Sequence, residues 1–315
     1  MKLKLEEFRG EADIPDVKVF LSGREQWHSL PDYWSAGKST VGTYQAMFDS
    51  PPSHHRFLRD DEGVIEAYLW LCPESIDTVD GDGYSWRILV HPGHRSRELV
   101  LGLIRYAEEQ LPLFLKVATG EPMRTVCYGK DPWLGALLED AGYVKENAQE
   151  VYLLRSFEQP IDEPVIAEGY TLRPFNPITD LVQRSGVQSD AFAGLVEPNE
   201  WSIENTRRFI RWQEGRADLD LAAVTPSGEF ASFALFLVDS GTLVGELDPV
   251  GTRAAQRRKG LSRALLLSGL RYLKHKGMKR AVVRTGIDNQ SAIKTYESVG
   301  FRVVDKLYSY VSTRP

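Results

Sequence analysis

Residues 254–266 read "AAQRRKGLSRALL", in which basic residues and a glycine come directly before an apolar helical pattern. The apolar positions recur at helical spacing: Leu261, Leu265, Leu270 and Leu273. Because "LVGELDPV" before the loop is typical of a strand, we expect a strand, a loop and an amphipathic helix in that order. The N–H groups and the positive dipole end at such a helix start favour an anion, and Gly260 lets the backbone approach it closely.

The charge around this loop also points to an anion. From Arg253 to Arg280 the sequence has ten Lys or Arg residues and no Asp or Glu, although the formal net charge of the whole chain is −6. A general nucleic-acid binder is disfavoured by that net charge and because aromatic residues do not alternate with the basic ones. A solvated basic helix face remains an alternative on charge alone. Neither GxxxxGK[ST] nor a GxGxxG after a strand occurs, which argues against ATP and NAD.

Two motifs in the second half resemble those of a known family. Arg257, Gly260 and Ser262 in "RRKGLS" resemble the [QR]-x-x-G-x-[GA] pyrophosphate loop of the GNAT superfamily of acyl-CoA-dependent N-acyltransferases. "DNQSAIKTYESVGF" is similar to the second signature of that superfamily, at Asn289, Ala292, Tyr296, Gly300 and Phe301. Ser262 departs from the usual Gly or Ala, but it is still small. Two signatures in order, about thirty residues apart as in the family, are a strong indication.

The resemblance implies that acetyl-CoA lies in a gap between two splayed parallel strands, "VGELDPV" and "RAVVRTG". Its pyrophosphate would bind the loop residues Arg257, Arg258, Lys259, Gly260, Leu261 and Ser262. Its pantetheine would pair like an extra strand with Val250, Gly251 and Thr252. The second signature would contribute Asn289, Ala292 and Tyr296. No metal is expected, because the adjacent His54 and His55 have no acidic or thiol ligand at a suitable offset.

Amine acetylation needs a base, because bringing an alkylamine with a pKa near 10.4 to its neutral form at pH 7 costs about 4 to 5 kcal/mol. Glu246 occupies the position, eleven residues before Arg257, where the resemblance implies a catalytic glutamate, and Asp248 is the second choice. Tyr296 is the expected acid for the departing thiolate. The alternatives are a solvent-facing strand residue for Glu246 and a core residue for Tyr296.

The chain also contains an internal repeat. "LLEDAGYVKENAQEVYLL" overlays "TYESVGFRVVDKLYSYVS" with Gly142 on Gly300, and "HPGHRSRELVLGLI" overlays the pyrophosphate loop with Arg95 on Arg257. We therefore predict a mixed α/β fold of two tandem GNAT domains. Residues 1–156 form a degenerate first domain, 157–167 a Pro-rich and acidic linker, and 168–315 the catalytic domain.

The first half has lost the residues that both signatures need. Gly260 corresponds to Glu98 and Ser262 to Val100, while the second signature changes at Asp131, Leu134 and Leu138. A carboxylate about 4 Å from a phosphate costs about 4 kcal/mol at an effective dielectric of 20. We predict that the first half binds no acetyl-CoA and instead supports the second half or forms part of the acceptor pocket.

The predicted activity is transfer of the acetyl group from acetyl-CoA to a primary amine of a small molecule or peptide, by direct attack. A non-catalytic acyl-CoA sensor or interaction protein is the alternative. The acceptor cleft is expected near Trp201, Arg207, Arg208 and Trp212, and Glu197 and Glu200 would favour a cationic acceptor. The sequence has neither a secretory signal nor an apolar run long enough to cross a membrane, so we expect a cytoplasmic protein that binds no membrane. Cys72 and Cys127 are expected to be buried thiols. Monomer and homodimer both remain open.

Overall fold

A computed structural model of the 315-residue chain describes residues 4–22, 51–72, 84–114, 122–194, 202–212, 219–239 and 243–313. Within these ranges the order of strands and helices repeats between the two halves, as the sequence repeat predicts. None of the described helices is both long and apolar enough to cross a bilayer.

The first half has six strands and three helices among its described residues. Its strands are β1 (Lys4–Glu7), β2 (His55–Arg59), β3 (Ile65–Cys72), β4 (Tyr84–Val90), β5 (Met123–Tyr128) and β6 (Tyr143–Ser156). Its helices are α1 (Ile14–Ser22), α2 (Arg97–Phe114) and α3 (Pro132–Asp140).

The second half repeats this order, with one additional described helix. Its strands are β7 (Thr171–Pro174), β8 (Asp220–Val224), β9 (Phe230–Asp239), β10 (Val244–Thr252), β11 (Arg280–Gly286) and β12 (Arg302–Ser312). Its helices are α4 (Leu181–Ala191), α5 (Ile203–Trp212), α6 (Leu261–His275) and α7 (Gln290–Ser298). The predicted helix at the basic loop and the strand "RAVVRTG" both form, which confirms the mixed α/β fold class.

All twelve described strands join in one mixed sheet, in which the last strand of each half lies in the other half. The strand order is β1-β2-β3-β4-β5-β12-β6-β11-β10-β9-β8-β7. β6 pairs antiparallel with β11 over Arg280 to Gly286, and β12 pairs antiparallel with β5. The sequence repeat does not predict this exchange, because the sequence pattern of a strand is the same whichever strand it pairs with.

The ends of the exchanged strands fix the turns of the opposite half. Arg155, at the end of β6, donates to the backbone oxygen of Val299, and a Cβ on Gly300 would lie 1.5 Å from its guanidinium. Thr313, just after β12, donates its backbone N–H and its hydroxyl to the oxygen of Gly142, at 3.1 and 2.9 Å. Each glycine turn of the repeat is therefore held by a residue from the other half.

The helices of the second half cover both faces of the sheet. The leucines of α6 pack with Ala234 and Phe236 of β9 and with Leu247 of β10 in one core. Phe233 of β9 packs instead with Val187 and other residues of α4 in a separate core. Because adjacent strand residues point to opposite faces, α4 and α6 lie on opposite sides of β9 and β10.

The segment predicted as a linker is anchored to α6. Phe157 and Ile161 are buried in the same core as the α6 leucines, while most side chains between them are exposed. Asp162 pairs with Arg263 at 3.1 Å, and Glu163 pairs with Arg271 at 2.6 Å. Two of the ten basic residues of 253–280 are thus neutralised by the acidic segment itself.

Candidate functional site

The predicted gap between two parallel strands is present. β10 and β11 pair only from Val244 to Glu246, opposite Arg280 to Val282, although β10 continues to Thr252 and β11 to Gly286. Glu246 occupies the last paired position, where the two strands separate. The candidate base therefore lies at the closed end of a V-shaped gap.

A bulge shapes the β10 side of this gap. Leu247 pairs with Phe236 of β9 and Val250 with Ala234, so β10 has one extra residue between them. Asp248 and Pro249, joined by a cis peptide bond, occupy the bulge. Regular strand alternation would place Asp248 on the same face as Glu246, but this alternation does not carry through a bulge. Beyond it, Val250, Gly251 and Thr252 pair with β9 along one edge and are partly exposed.

The helix predicted at the basic loop begins beside the open end of the gap. Gly260 is its N-cap residue, with a left-handed φ of 74° and no capping side-chain hydrogen bond, and Leu261 is buried. The Ser262 hydroxyl lies 2.7 Å from that of Thr252, which in turn lies 2.7 Å from the Ser232 hydroxyl. This chain of hydroxyls joins α6 to β10 and β9, and it explains why a serine suits this position.

Three cationic residues surround the start of α6. Arg257, Arg258 and Lys259 are all exposed, and Arg258 adopts a left-handed φ of 67°. Arg257 donates to two backbone oxygens at 3.3 Å, and Lys259 donates to Tyr170 and Gln256 at 2.7 Å. No ion pair with a carboxylate is found for these three cations among the described residues.

The second signature has an evident structural role at the start of α7. Asn289 caps the helix, since its side-chain oxygen accepts the backbone N–H of Ala292 at 3.1 Å. Tyr296 is 8% exposed and packs edge-on against Phe301, with ring centroids 6.0 Å apart. Burial raises the pKa of Tyr296 above its ordinary value, and the negative charge of Asp248 raises it further.

Glu246 belongs to a polar group that sequence reasoning did not find. Glu246 is 5% exposed, and near it the Arg284 guanidinium of β11 pairs with Glu150 of β6 at 3.2 Å. Tyr128, at the end of β5, completes a set that we call the Glu246 cluster: Tyr128, Glu150, Glu246, Asp248 and Arg284. Two of its members come from the first half, because β6 lies next to β11 and β12 connects β5 to β6.

The charges of the Glu246 cluster act on one another. Burial lowers the pKa of Arg284, but the nearby carboxylates of Glu150, Glu246 and Asp248, together with Tyr128, outweigh it and hold the pKa well above its ordinary value. Burial raises the pKa of Tyr128, with Glu150 and Glu246 adding to the effect and Arg284 opposing it. Arg284 therefore remains cationic among three carboxyl groups, and Tyr128 remains a neutral phenol.

The corresponding loop of the first half differs in ways that support its predicted loss of acetyl-CoA binding. Arg95, the counterpart of Arg257, forms an ion pair with Asp131 and lies over the Trp133 ring, 4.5 Å from its centroid. The Ser96 hydroxyl accepts the N–H of Leu99 at 3.2 Å, at the start of α2. The arginine and one amide of this loop are thus already engaged within the protein.

Part of the predicted acceptor cleft lies outside the described residues. Glu197, Glu200 and Trp201 fall in the undescribed range 195–201. Arg208 and Trp212 belong to α5, but their side chains are outside the description as well. Arg207 forms an exposed ion pair with Glu204 at 2.6 Å, which is typical of a solvated helix face.

Comparison with known proteins agrees with the two signatures. The model described as the acetyltransferase (GNAT) family matches residues 188–301. A protein of Kineococcus radiotolerans named mycothiol acetyltransferase is 30% identical over 247 residues, covering 78% of this chain and 77% of that protein. A mycothiol acetyltransferase of Saccharomonospora viridis is 27% identical over 311 residues, covering 94% of each chain.

Two solved structures share the fold of this chain over nearly its whole length. A tandem GNAT protein from the clavulanic acid biosynthesis pathway superposes with a TM-score of 0.70 at 16% identity, covering 99% of this chain and 98% of that one. A GCN5-related N-acetyltransferase from Sphaerobacter thermophilus gives a TM-score of 0.67 at 19% identity, covering 98% of this chain and 95% of that one.

The family match, the curated relatives and the tandem neighbours lead to the same assignment. This chain belongs to the GNAT family of acetyltransferases, as an acyltransferase of the tandem type whose co-substrate is acetyl-CoA.

Proposed function

We propose that the second half transfers the acetyl group of acetyl-CoA to a primary amine by direct attack, with Glu246 as the base and Tyr296 as the acid. The position of Glu246 at the closed end of the β10–β11 gap is the observation that carries this proposal. When bound in the gap, acetyl-CoA supplies the reactive thioester. Side chains and backbone amides of the chain provide cofactor binding, the base and the acid.

The fit of the cofactor rests on the start of α6. The left-handed Gly260 leaves the first amides of the helix without a side-chain cap, and three exposed cations lie beside them. Such a helix start binds a pyrophosphate through backbone N–H groups and the helix dipole. We assign this role to the loop Arg257 to Ser262, and the pantetheine contacts to Val250, Gly251 and Thr252 on the neighbouring strand.

Glu246 suits the role of base through its surroundings. An acceptor amine arrives largely as ammonium at pH 7, so the site has to attract a cation and then remove its proton. The Glu246 cluster presents three carboxyl groups and one guanidinium in a mostly buried space, which favours a cationic acceptor. Because Glu150 and Tyr128 of the first half belong to this cluster, we assign the first half a share of the acceptor pocket.

Tyr296 suits the role of acid because it stays protonated. Its buried phenol and the nearby Asp248 charge keep its pKa above the ordinary value, so the proton is present throughout the neutral range. Glu246 takes one proton from the ammonium, and the neutral amine attacks the thioester carbonyl. A C–N bond forms and the C–S bond breaks as Tyr296 donates its proton to sulfur, and the second proton of the nitrogen returns to the Tyr296 phenolate.

The names of the relatives narrow the range of acceptor amines to test. Several relatives that match most of this chain are named mycothiol acetyltransferase. A mycothiol-type amine is therefore the first acceptor to test, beside simple cationic amines and peptides. The monomeric or dimeric state does not enter this mechanism.

The experiment measures thiol release from acetyl-CoA by the full chain in the presence of each amine, with and without Glu246→Gln. The variant is expected to lower kcat by about 10² to 10⁴-fold while the Kd for acetyl-CoA stays within about threefold, because general base catalysis contributes that range. Glu297→Gln, an exposed glutamate on α7, is the matched control and is expected to retain wild-type turnover.

The acyl-CoA sensor is the competing function, and the same measurements separate it. A sensor binds acetyl-CoA, but none of the tested amines raises its thiol release above background. Wild-type turnover that survives Glu246→Gln would contradict our assignment of the base. The assay background is expected to be low, because both cysteines are buried thiols and burial, with the Asp131 charge, raises the pKa of Cys127 to about 12.

A further inference from the structure

Two histidines and a glutamate of the first half lie together at the loop that corresponds to the proposed pyrophosphate loop of the second half. Glu66 is at the β3 bulge, His91 precedes a short 3-10 turn at Pro92–His94 just before α2, and His94 is the last residue of that turn. One donor atom from each of these three residues lies within 4.8 Å of the other two. Spacing along the sequence does not reveal this set, because Glu66 is 25 residues from His91 along the chain.

The spacing of the donor atoms fits a metal ion better than hydrogen bonds. Glu66 Oε2 lies 3.4 Å from His94 Nε2 and 3.7 Å from His91 Nδ1, both longer than ordinary N–H···O bonds. Ligand atoms about 2.0 to 2.1 Å from a tetrahedral Zn²⁺ ion are separated by about 3.3 to 3.4 Å. Small side-chain movements would therefore complete a three-ligand site.

The backbone of this loop positions all three side chains. His91 donates its N–H to the oxygen of Glu66 at 2.7 Å, and His94 donates to the oxygen of His91 at 2.9 Å. Glu66 is the extra residue of the bulge, since Leu58 pairs with Ala67 and Arg59 with Ile65, and a bulge redirects a strand side chain. His91 Nδ1 also accepts the N–H of Gly93 at 3.2 Å, a weak bond that a metal ion on this nitrogen would replace.

The same backbone contact recurs in the second half with different side chains. There Arg253 donates its N–H to the oxygen of Ala231 at 3.0 Å, directly before the proposed pyrophosphate loop. Glu66 thus corresponds to Ala231, and His91 to Arg253. At matching places in the repeat, the second half presents cations to an anion, whereas the first half presents a carboxylate and two imidazoles, which are ligands for a cation.

We propose that Glu66, His91 and His94 form a binding site for a divalent first-row metal ion of the zinc type, with water as the remaining ligand. Imidazole and carboxylate donors suit Zn²⁺, and the partial exposure of both histidines gives the ion access. A bound ion would fasten the β3 bulge to the start of α2. The site is separate from the Glu246 cluster, and it departs from our expectation of a metal-free protein.

The test uses the full chain after chelator treatment, titrated with Zn²⁺ by isothermal calorimetry at pH 7.5. Wild type is expected to bind one Zn²⁺, and Glu66→Gln and His94→Ala are expected to bind it at least tenfold more weakly. His275→Ala, which removes an exposed histidine at the end of α6, is the matched control and should bind like wild type.

Thermal unfolding provides a second measurement. Zn²⁺ is expected to raise the unfolding temperature of wild type but not that of His94→Ala. If Glu66→Gln is unstable without metal, His94→Ala alone tests the proposal. The His94 side chain is 26% exposed, so its removal leaves no buried gap. Equal Zn²⁺ affinity in wild type and His94→Ala, or no binding by wild type, would overturn the proposal. Neither readout depends on acetyl transfer.

Discussion

Tyr296 shows how the surroundings of one residue set its chemistry. A phenol with an ordinary pKa of about 10 already holds its proton at pH 7. Here burial raises the pKa of Tyr296, and the Asp248 charge raises it further. The folded pKa therefore lies above the unfolded one, so this residue favours folding below about pH 10, and that contribution is lost as the pH rises further.

The pH dependence of turnover follows from this shift. We expect the kcat of wild type to show no decline from loss of the Tyr296 proton up to about pH 10, since the shift moves that ionisation above the ordinary tyrosine value. Tyr296→Phe is expected to lower kcat by about 10²-fold at every pH and to leave the profile shape unchanged. The measurement is thiol release from pH 6 to 10; a decline centred near pH 8 that disappears in the variant would refute the assignment.

Asn289 offers a test of the predicted loss of acetyl-CoA binding in the first half. Asp131 caps α3 by accepting the N–H of Leu134 at 3.1 Å, as Asn289 caps α7, but Asp131 also pairs with Arg95. Asn289→Asp should therefore keep the cap and place a negative charge near Arg257 and the pyrophosphate. At about 8 Å and an effective dielectric of 20, the repulsion is about 2 kcal/mol, or roughly a 30-fold higher Kd for acetyl-CoA.

Calorimetric titration with acetyl-CoA measures the effect of Asn289→Asp. Ser298→Asp is the control, because it adds the same charge at the exposed far end of α7. The control should change the Kd less than threefold. An unchanged Kd in Asn289→Asp would contradict the inference that a carboxylate at this position disfavours acetyl-CoA binding.

At the level of elements, the exchanged strands explain a glycine of the second signature. Gly300 ends α7 with a left-handed φ of 91°, and the Arg155 guanidinium from β6 lies where its side chain would be. Arg155 donates to Val299 and to Pro160, so it cannot move away without losing both bonds. The motif glycine is thus required by a residue of the other half.

Gly300→Ala is expected to lower the free energy of unfolding by about 2 to 4 kcal/mol, from the left-handed backbone and the collision with Arg155. The measurement is urea unfolding followed by circular dichroism. Gly102→Ala in α2 is the control, since no heavy atom lies within 4 Å of its Cβ position. The control should be neutral or stabilise by up to about 1 kcal/mol. Equal stability of Gly300→Ala and wild type would mean that Arg155 does not occupy this position.

At the level of the whole molecule, neither half is complete without the other. β5 is covered by β12 and β11 by β6, so removing either half leaves a strand of the remaining sheet with an exposed edge. The Glu246 cluster also loses Glu150 and Tyr128 if residues 1–156 are removed. The first half therefore acts on the site through strand pairing as well as through side chains.

Cutting the chain between the halves tests this interdependence. A protease site inserted between Val165 and Ile166, both exposed, should be cleaved without separating the fragments at sub-micromolar concentration. The cleaved protein is expected to elute as one species and to retain thiol release, whereas denaturant should separate the fragments. Fragments that separate in native buffer would contradict the exchanged strand order.

The sequence alone determined the local features of this protein: the alternation of strands and helices, the α6 start at Gly260, the second signature and the internal repeat. These follow from short-range periodicity and from residue types that suit only one backbone conformation, as at Gly260. Glu246 was identified through the family resemblance, which implies a catalytic glutamate at its position eleven residues before Arg257.

The tertiary structure alone decided which residues meet from distant parts of the chain. The exchange of β6 and β12 brings Glu150 to Arg284, 134 positions away, and Arg155 to Gly300. Pairing between strands depends on backbone hydrogen bonds that nearly all sequences can form, so the pattern of one strand does not specify its neighbour. The Glu66, His91 and His94 group arises similarly, because a bulge and a turn bring the three side chains together.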